Sequence, residues 1–335
     1  MIHMGTNISR MLFSLMIILI SCEFFTNGIE WLGKKLRVGE GVVGSLLSAV
    51  GTCLPETMIP VIAILFFREK KLADIGIGAI VGAPFMLSTL AFFITGLSVL
   101  IFWSKRKKGM VMNINSEILC RDMSFFITSY TLGILAAFIR IKTIKDIIAL
   151  SLIAIYAYYV YLTVKQDKVY HASLDKLYFS KIFHVKTRFR VVMIQVFLAL
   201  LGIVVGAHIF VVKIEAISAL LGIPAIILSI VITPIATELP EKFNSIIWVR
   251  KSRDALAMGN ITGAMVFQSC IPVSIGILAT DWRLDFNAVV SALIAVLSAS
   301  IVYFWIENKK SLNPIPLIMG GFFYLIFIVL LSGHI

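Results

Sequence analysis

At 335 residues, 59% of them hydrophobic and 14% charged, with a mean hydropathy of +0.98, the chain departs from soluble globular proteins, which carry about 25% charged residues. It reads as an integral membrane protein. The net charge of +12 does not point to a nucleic-acid partner, because the basic residues sit in short loops between apolar stretches, where they orient the spans. Cys22, Cys53, Cys120 and Cys270 lie in or beside apolar segments at no metal-ligand spacing. They argue for neither a disulfide framework nor a zinc site.

Spans of about 20 apolar residues are expected at 11–32, 40–66, 73–103, 120–139, 144–164, 191–212, 216–248, 254–280, 286–306 and 315–333. The first has no basic leader region and no small-residue cleavage site, and it runs on toward Trp31, so it reads as a retained helix. The second, third, seventh and eighth are long and carry Gly or Pro in mid-span. That pattern marks broken or kinked helices around a cavity.

The loops alternate in charge. One side carries 20 Lys and Arg residues and the other 9, with Lys242 inside a span and counted with neither. The richer side is expected to be cytoplasmic, which puts both termini outside, in the cell membrane. Ten spans form two units of five, and an odd unit length forces the second unit to insert upside down. Residues 1–164 are expected to form the first repeat and 191–335 the inverted second. Between them, 165–190 is a short, basic cytoplasmic connector with no carboxylate cluster for a calcium-sensing domain.

Two segments about 185 positions apart nearly coincide. Gly51-Thr52-Cys53-Leu54-Pro55-Glu56 lies in the second span, and Ala236-Thr237-Glu238-Leu239-Pro240-Glu241 in the seventh. Each sets an acid one residue after a proline. A carboxylate at membrane depth costs about 2.5–3.5 kcal/mol on insertion scales, so such residues usually mark an ion or proton path. A break at that depth frees backbone carbonyls, Thr52 and Thr237 add hydroxyls, and Glu56 and Glu241 together balance one divalent ion. A hard cation such as Ca²⁺ takes six to eight oxygens of these kinds. The competing reading is a helix cap, since Pro suits the first helical position and a polar residue three before Glu resembles a capping box. Burial, pairing and inversion favour the ion path.

A second pair of stretches follows the first. Gly78 to Leu87 and Gly259 to Gln268 each open with G-x-x-x-G, a spacing that lets helix backbones approach closely. Packing alone accounts for the glycines. The amides Asn260 and Gln268 need polar partners in mid-membrane, and the region around Glu241 is the expected one.

These residues resemble the two alpha-repeats of the cation/Ca²⁺ exchanger superfamily, whose usual form is G-T-S-L-P-E followed by G-N-x-x-G-S-x-x-x-N. The resemblance covers both repeats and most of the chain. It implies an all-α integral membrane fold of ten helices as two inverted five-helix repeats, with helices 2, 3, 7 and 8 broken around a midplane ion site. It also implies secondary antiport, with Ca²⁺ exchanged for Na⁺ or H⁺ at the central glutamates. By motif match the cation ligands are Glu56 and Glu241, the hydroxyls Thr52 and Thr237, and the amide Gln268. Asn260 and Lys242 stand behind them.

The chain departs from the family pattern. The family serine is Cys53 in the first repeat and Glu238 in the second, the first-repeat Asn is Leu87, and two further serines are Ala83 and Ala264. Thiols are poor ligands for hard cations. Glu238 has two open readings: a third acid that carries a proton or replaces lost ligands, or a partner that neutralises Lys242 four residues on. Fewer Na⁺ ligands and one more acid favour H⁺ over Na⁺ coupling. Related alternatives are a Na⁺/H⁺-type antiporter on the same fold, an intramembrane acid/base enzyme and a passive channel. The enzyme reading lacks a nucleophile–base pair, and the five histidines are scattered. No cofactor, nucleic acid or obligatory protein partner is expected; the partners are the bilayer and inorganic cations.

Overall fold

A computed structural model describes residues 2–35, 53–65, 70–106, 108–166, 176–223 and 225–332. Thirteen α-helices run through these residues. Residues 2–166 hold α1 (Ile2–Lys35), α2 (Leu54–Leu65), α3 (Lys70–Met86), α4 (Phe92–Phe102), α5 (Ser116–Phe138) and α6 (Lys142–Gln166). A short α7 (Tyr178–Ile182) lies in the connector. Residues 189–332 hold α8 (Phe189–Leu221), α9 (Ala225–Thr237), α10 (Leu239–Arg250), α11 (Asp254–Ala279), α12 (Phe286–Lys309) and α13 (Pro314–Ser332). Among the described residues, eight helical stretches are long and apolar enough to cross a membrane.

The two remaining expected spans behave differently. The second, at 40–66, is described only from Cys53 onward, where α2 begins one residue later. The seventh is divided into α9 and α10, each too short to cross alone, by a single turn residue, Glu238 (φ −92°, ψ 6°). The third runs as α3, a five-residue π-helical turn at Leu87–Ala91, and α4. Pro84 lies just before that turn, and a local widening of the helix is one way to accommodate a missing N–H.

Two expectations on the spans are corrected. The break between 212 and 216 does not exist: α8 continues through Lys213 and Glu215 to Leu221 and stops at Gly222, whose φ of +67° closes the helix. The apolar periodicity on either side outweighs one Lys–Glu pair. The eighth span is not broken either. It is one helix, α11, with Pro272 inside it.

Helix contacts recur with the halves exchanged. The long helices α1 and α8 pack on each other; α5 packs on α6 as α12 does on α13. The α11 helix packs on α5 and α6, while the α3–α4 helix packs on α12 and α13. Two apolar cores result. One centres on α1, α8 and the α2 residues Ile59, Ile62 and Ala63. The other holds most of the remaining helices, with Phe85, Phe126, Tyr130 and Trp282 fully buried.

The described end of the connector is docked rather than free. Asn27 of α1 accepts the Tyr178 N–H at 3.0 Å, and Gln195 of α8 accepts the Phe179 N–H at 2.9 Å. The Gln195 amide donates in turn to the Phe24 carbonyl at 2.8 Å. These bonds fasten α7 across the ends of α1 and α8.

Candidate functional site

Each repeated motif spans a helix start, α2 at Leu54 and α10 at Leu239. In the first half Glu56 occupies the first turn of α2, where the positive end of the helix favours a carboxylate. Its side chain is 2% exposed. Thr57 bonds back to Cys53: its hydroxyl donates to the Cys53 carbonyl at 2.6 Å and its N–H to the same oxygen at 3.2 Å. In the second half Thr237 ends α9, buried, with its hydroxyl donating to the Thr233 carbonyl at 3.0 Å. Thr52 and the side chain of Glu241 lie outside the described residues.

Prolines release further carbonyls. A proline has no N–H to give the carbonyl four residues before it. Pro60 therefore leaves the Glu56 carbonyl without its helix donor, Pro240 does the same for Ala236, and Pro272 for Gln268. At three motif positions the residue four further on thus has no N–H to offer. Among the described residues no group of three or more His, Cys, Asp and Glu side chains converges.

Both helices that bear the repeated acids, α2 and α10, pack against α11. Gln268 lies on α11, fully buried, and neither its amide oxygen nor its amide nitrogen has a hydrogen-bond partner. The expected partner, the second motif around Glu241, has its acid side chain outside the described residues. Tyr156 of α6 packs edge-on against Phe267, the residue before Gln268, with ring centroids 5.5 Å apart. Leaving a buried amide unsatisfied costs about 1–3 kcal/mol per group. Such a group calls for an explanation beyond packing.

Glu238 and Lys242 form an ion pair at 3.2 Å, with side chains 0% and 4% exposed. Glu238 occupies the position before α10 but does not cap it with its side chain. The geometry is that of the neutralising pair, one helical turn apart.

The glycines divide. Gly82 is a close-approach position: a Cβ there would lie 2.5 Å from the Ile230 carbonyl of α9, the oxygen that Pro234 leaves without a donor. Gly259 would meet nothing within 4 Å and Gly263 only the Tyr159 hydroxyl at 3.8 Å. Packing accounts for Gly82 but not for the second pair. That face of α11, including Asn260, is partly open.

Sequence reading placed Arg106 and Arg121 in loops and passed over two buried acids. Arg106 and Asp254 pair at 2.5 Å with side chains 1% exposed, and the Asn113 N–H donates to the same carboxylate at 2.7 Å. Asp122 of α5 accepts from the Thr262 hydroxyl of α11 at 2.8 Å and pairs with Arg121 at 3.0 Å. An acid beside a base at the edge of an apolar run was the available signal.

Residues 7–165 and 191–334 match the family described as sodium/calcium exchanger protein. An uncharacterized membrane protein of Methanocaldococcus jannaschii is 24% identical over 256 residues, 76% of each chain. Among solved structures, that of the H⁺/Ca²⁺ exchanger CAX matches with a TM-score of 0.74 at 17% identity, covering 97% of this chain and 82% of its own. The sodium-calcium exchanger NCX_Mj, soaked with Na⁺ and Sr²⁺, matches with a TM-score of 0.59 at 18% identity, covering 97% and 99%. At such identities the likeness carries the fold.

Proposed function

The chain belongs to the sodium/calcium exchanger protein family, a family of transporters that move inorganic cations across membranes, and on that premise we propose that it is a secondary active antiporter exchanging Ca²⁺ or a similar cation for H⁺ or Na⁺. Glu56 and Glu241 supply the charge that balances the ion. Thr52, Thr237, the Gln268 amide oxygen and the carbonyls released by proline supply the remaining ligands. The two separate family matches and the exchanged packing pairs support two inverted halves, 1–164 and 191–335, around the shared site. Alternating access then exposes that site to one side of the cell membrane at a time.

The observation that carries this reading is Gln268. It is fully buried on the helix that both acid-bearing helices pack against, and its amide has no hydrogen-bond partner among the described residues. A core amide with no structural use is costly, and a dehydrated cation arriving between two carboxylates gives its oxygen a use. The test is transport: purified protein in proteoliposomes accumulates ⁴⁵Ca²⁺ against its gradient when an outward H⁺ or Na⁺ gradient is imposed. Failure of either gradient to drive uptake contradicts the proposal.

A further inference from the structure

We propose that the Lys242 ammonium acts as a tethered cation, occupying permanently a place that a dissolved monovalent cation would otherwise fill beside Glu238. The inference deepens the antiporter reading and rests on it for the role of the neighbouring Glu241. Positions 53 and 57 of the first motif align with 238 and 242 of the second. In the first half they are Cys53 and Thr57, uncharged, and Thr57 spends its hydroxyl on the Cys53 carbonyl. In the second half the same two places hold a carboxylate and an ammonium 3.2 Å apart, both out of contact with solvent. The acid and the base thus arrive together at the break, and only there.

A buried carboxylate without a counter-charge is strongly unfavourable, so ionised Glu238 requires a cation. A dissolved Na⁺ must compete with an ammonium anchored four residues away, whose effective concentration is that of a short tether. The tethered charge prevails. Because the pair is neutral, the site keeps two net negative charges, from Glu56 and Glu241, which match one divalent ion. Glu238 makes no side-chain helix cap; its carboxylate faces Lys242 instead.

The experiment follows thermal unfolding in detergent at one fixed pH while Na⁺ replaces choline, and measures Ca²⁺ affinity by calorimetry in the same preparations. Lys242→Met frees the place: its melting temperature rises saturably with Na⁺ by about 3–5 °C more than that of wild type. Lys242→Arg keeps the charge and behaves as wild type. Glu238→Gln leaves the ammonium unopposed beside the divalent site and weakens Ca²⁺ binding about tenfold or more. Glu238→Gln combined with Lys242→Met returns affinity to within about threefold of wild type and removes the added Na⁺ response. A Lys242→Met protein no more responsive to Na⁺ than wild type overturns the proposal, as does a double variant that binds Ca²⁺ as weakly as Glu238→Gln. Should Lys242→Met fail to fold, the Glu238→Gln and double-variant affinities decide the matter. Absence of Ca²⁺ binding by wild type tells against the antiporter reading instead, and leaves the Na⁺ response as an independent measure of the tethered charge.

Discussion

Gln268 and Pro272 stand one turn apart on α11, and the proline withholds the N–H that would have met the Gln268 carbonyl. One buried residue therefore presents an unbonded amide and a carbonyl stripped of its helix donor. Stability and function make opposite demands at this position. Replacing Gln268 by Leu removes an unsatisfied amide from the core, so the variant should melt no lower than wild type and up to a few degrees higher. Its cation flux should fall about tenfold or more, the loss of an oxygen ligand at about 1.5–3 kcal/mol. Thermal unfolding and proteoliposome uptake on the same preparation test both halves of that statement.

The glycines of the paired stretches should respond in opposite ways. Gly82→Ala drives a methyl group against the Ile230 backbone and should destabilise by about 1–3 kcal/mol, the usual cost of overpacking. Gly259→Ala meets open space and should gain up to about 1 kcal/mol of helix stability. A comparison of the two melting temperatures decides the point.

The Arg106–Asp254 pair joins the end of the third span to the start of the eighth. Arg106→Ala leaves Asp254 buried and uncompensated, at a cost of about 3–5 kcal/mol. Arg106→Met together with Asp254→Leu should recover most of that loss. A double-mutant cycle on unfolding in detergent measures the coupling.

The sequence made the class, the broken seventh span and the paired acids legible because each leaves a local mark: apolar length, a proline at mid-span, a carboxylate where lipid should be. The break at Glu238 fell inside the motif that announced it. The continuity of α8 through Lys213 and Glu215 was not visible, because a Lys–Glu pair inside a helix resembles a short loop in composition. The α11 helix was expected to break at its glycines and prolines, yet packing against α5, α6 and α10 holds it in one piece. The Arg106–Asp254 and Asp122–Thr262 contacts join residues about 140 to 150 positions apart, and no periodicity encodes such pairs. The isolation of the Gln268 amide is likewise a property of tertiary packing alone.

The central claim is that one acid from each half serves a single cation. Gradient-driven ⁴⁵Ca²⁺ uptake by Glu56→Gln and Glu241→Gln, each in otherwise wild-type protein, tests it most directly. The account predicts that either substitution alone reduces uptake to the level of protein-free vesicles while the folded protein is retained. Wild-type uptake by either variant contradicts it.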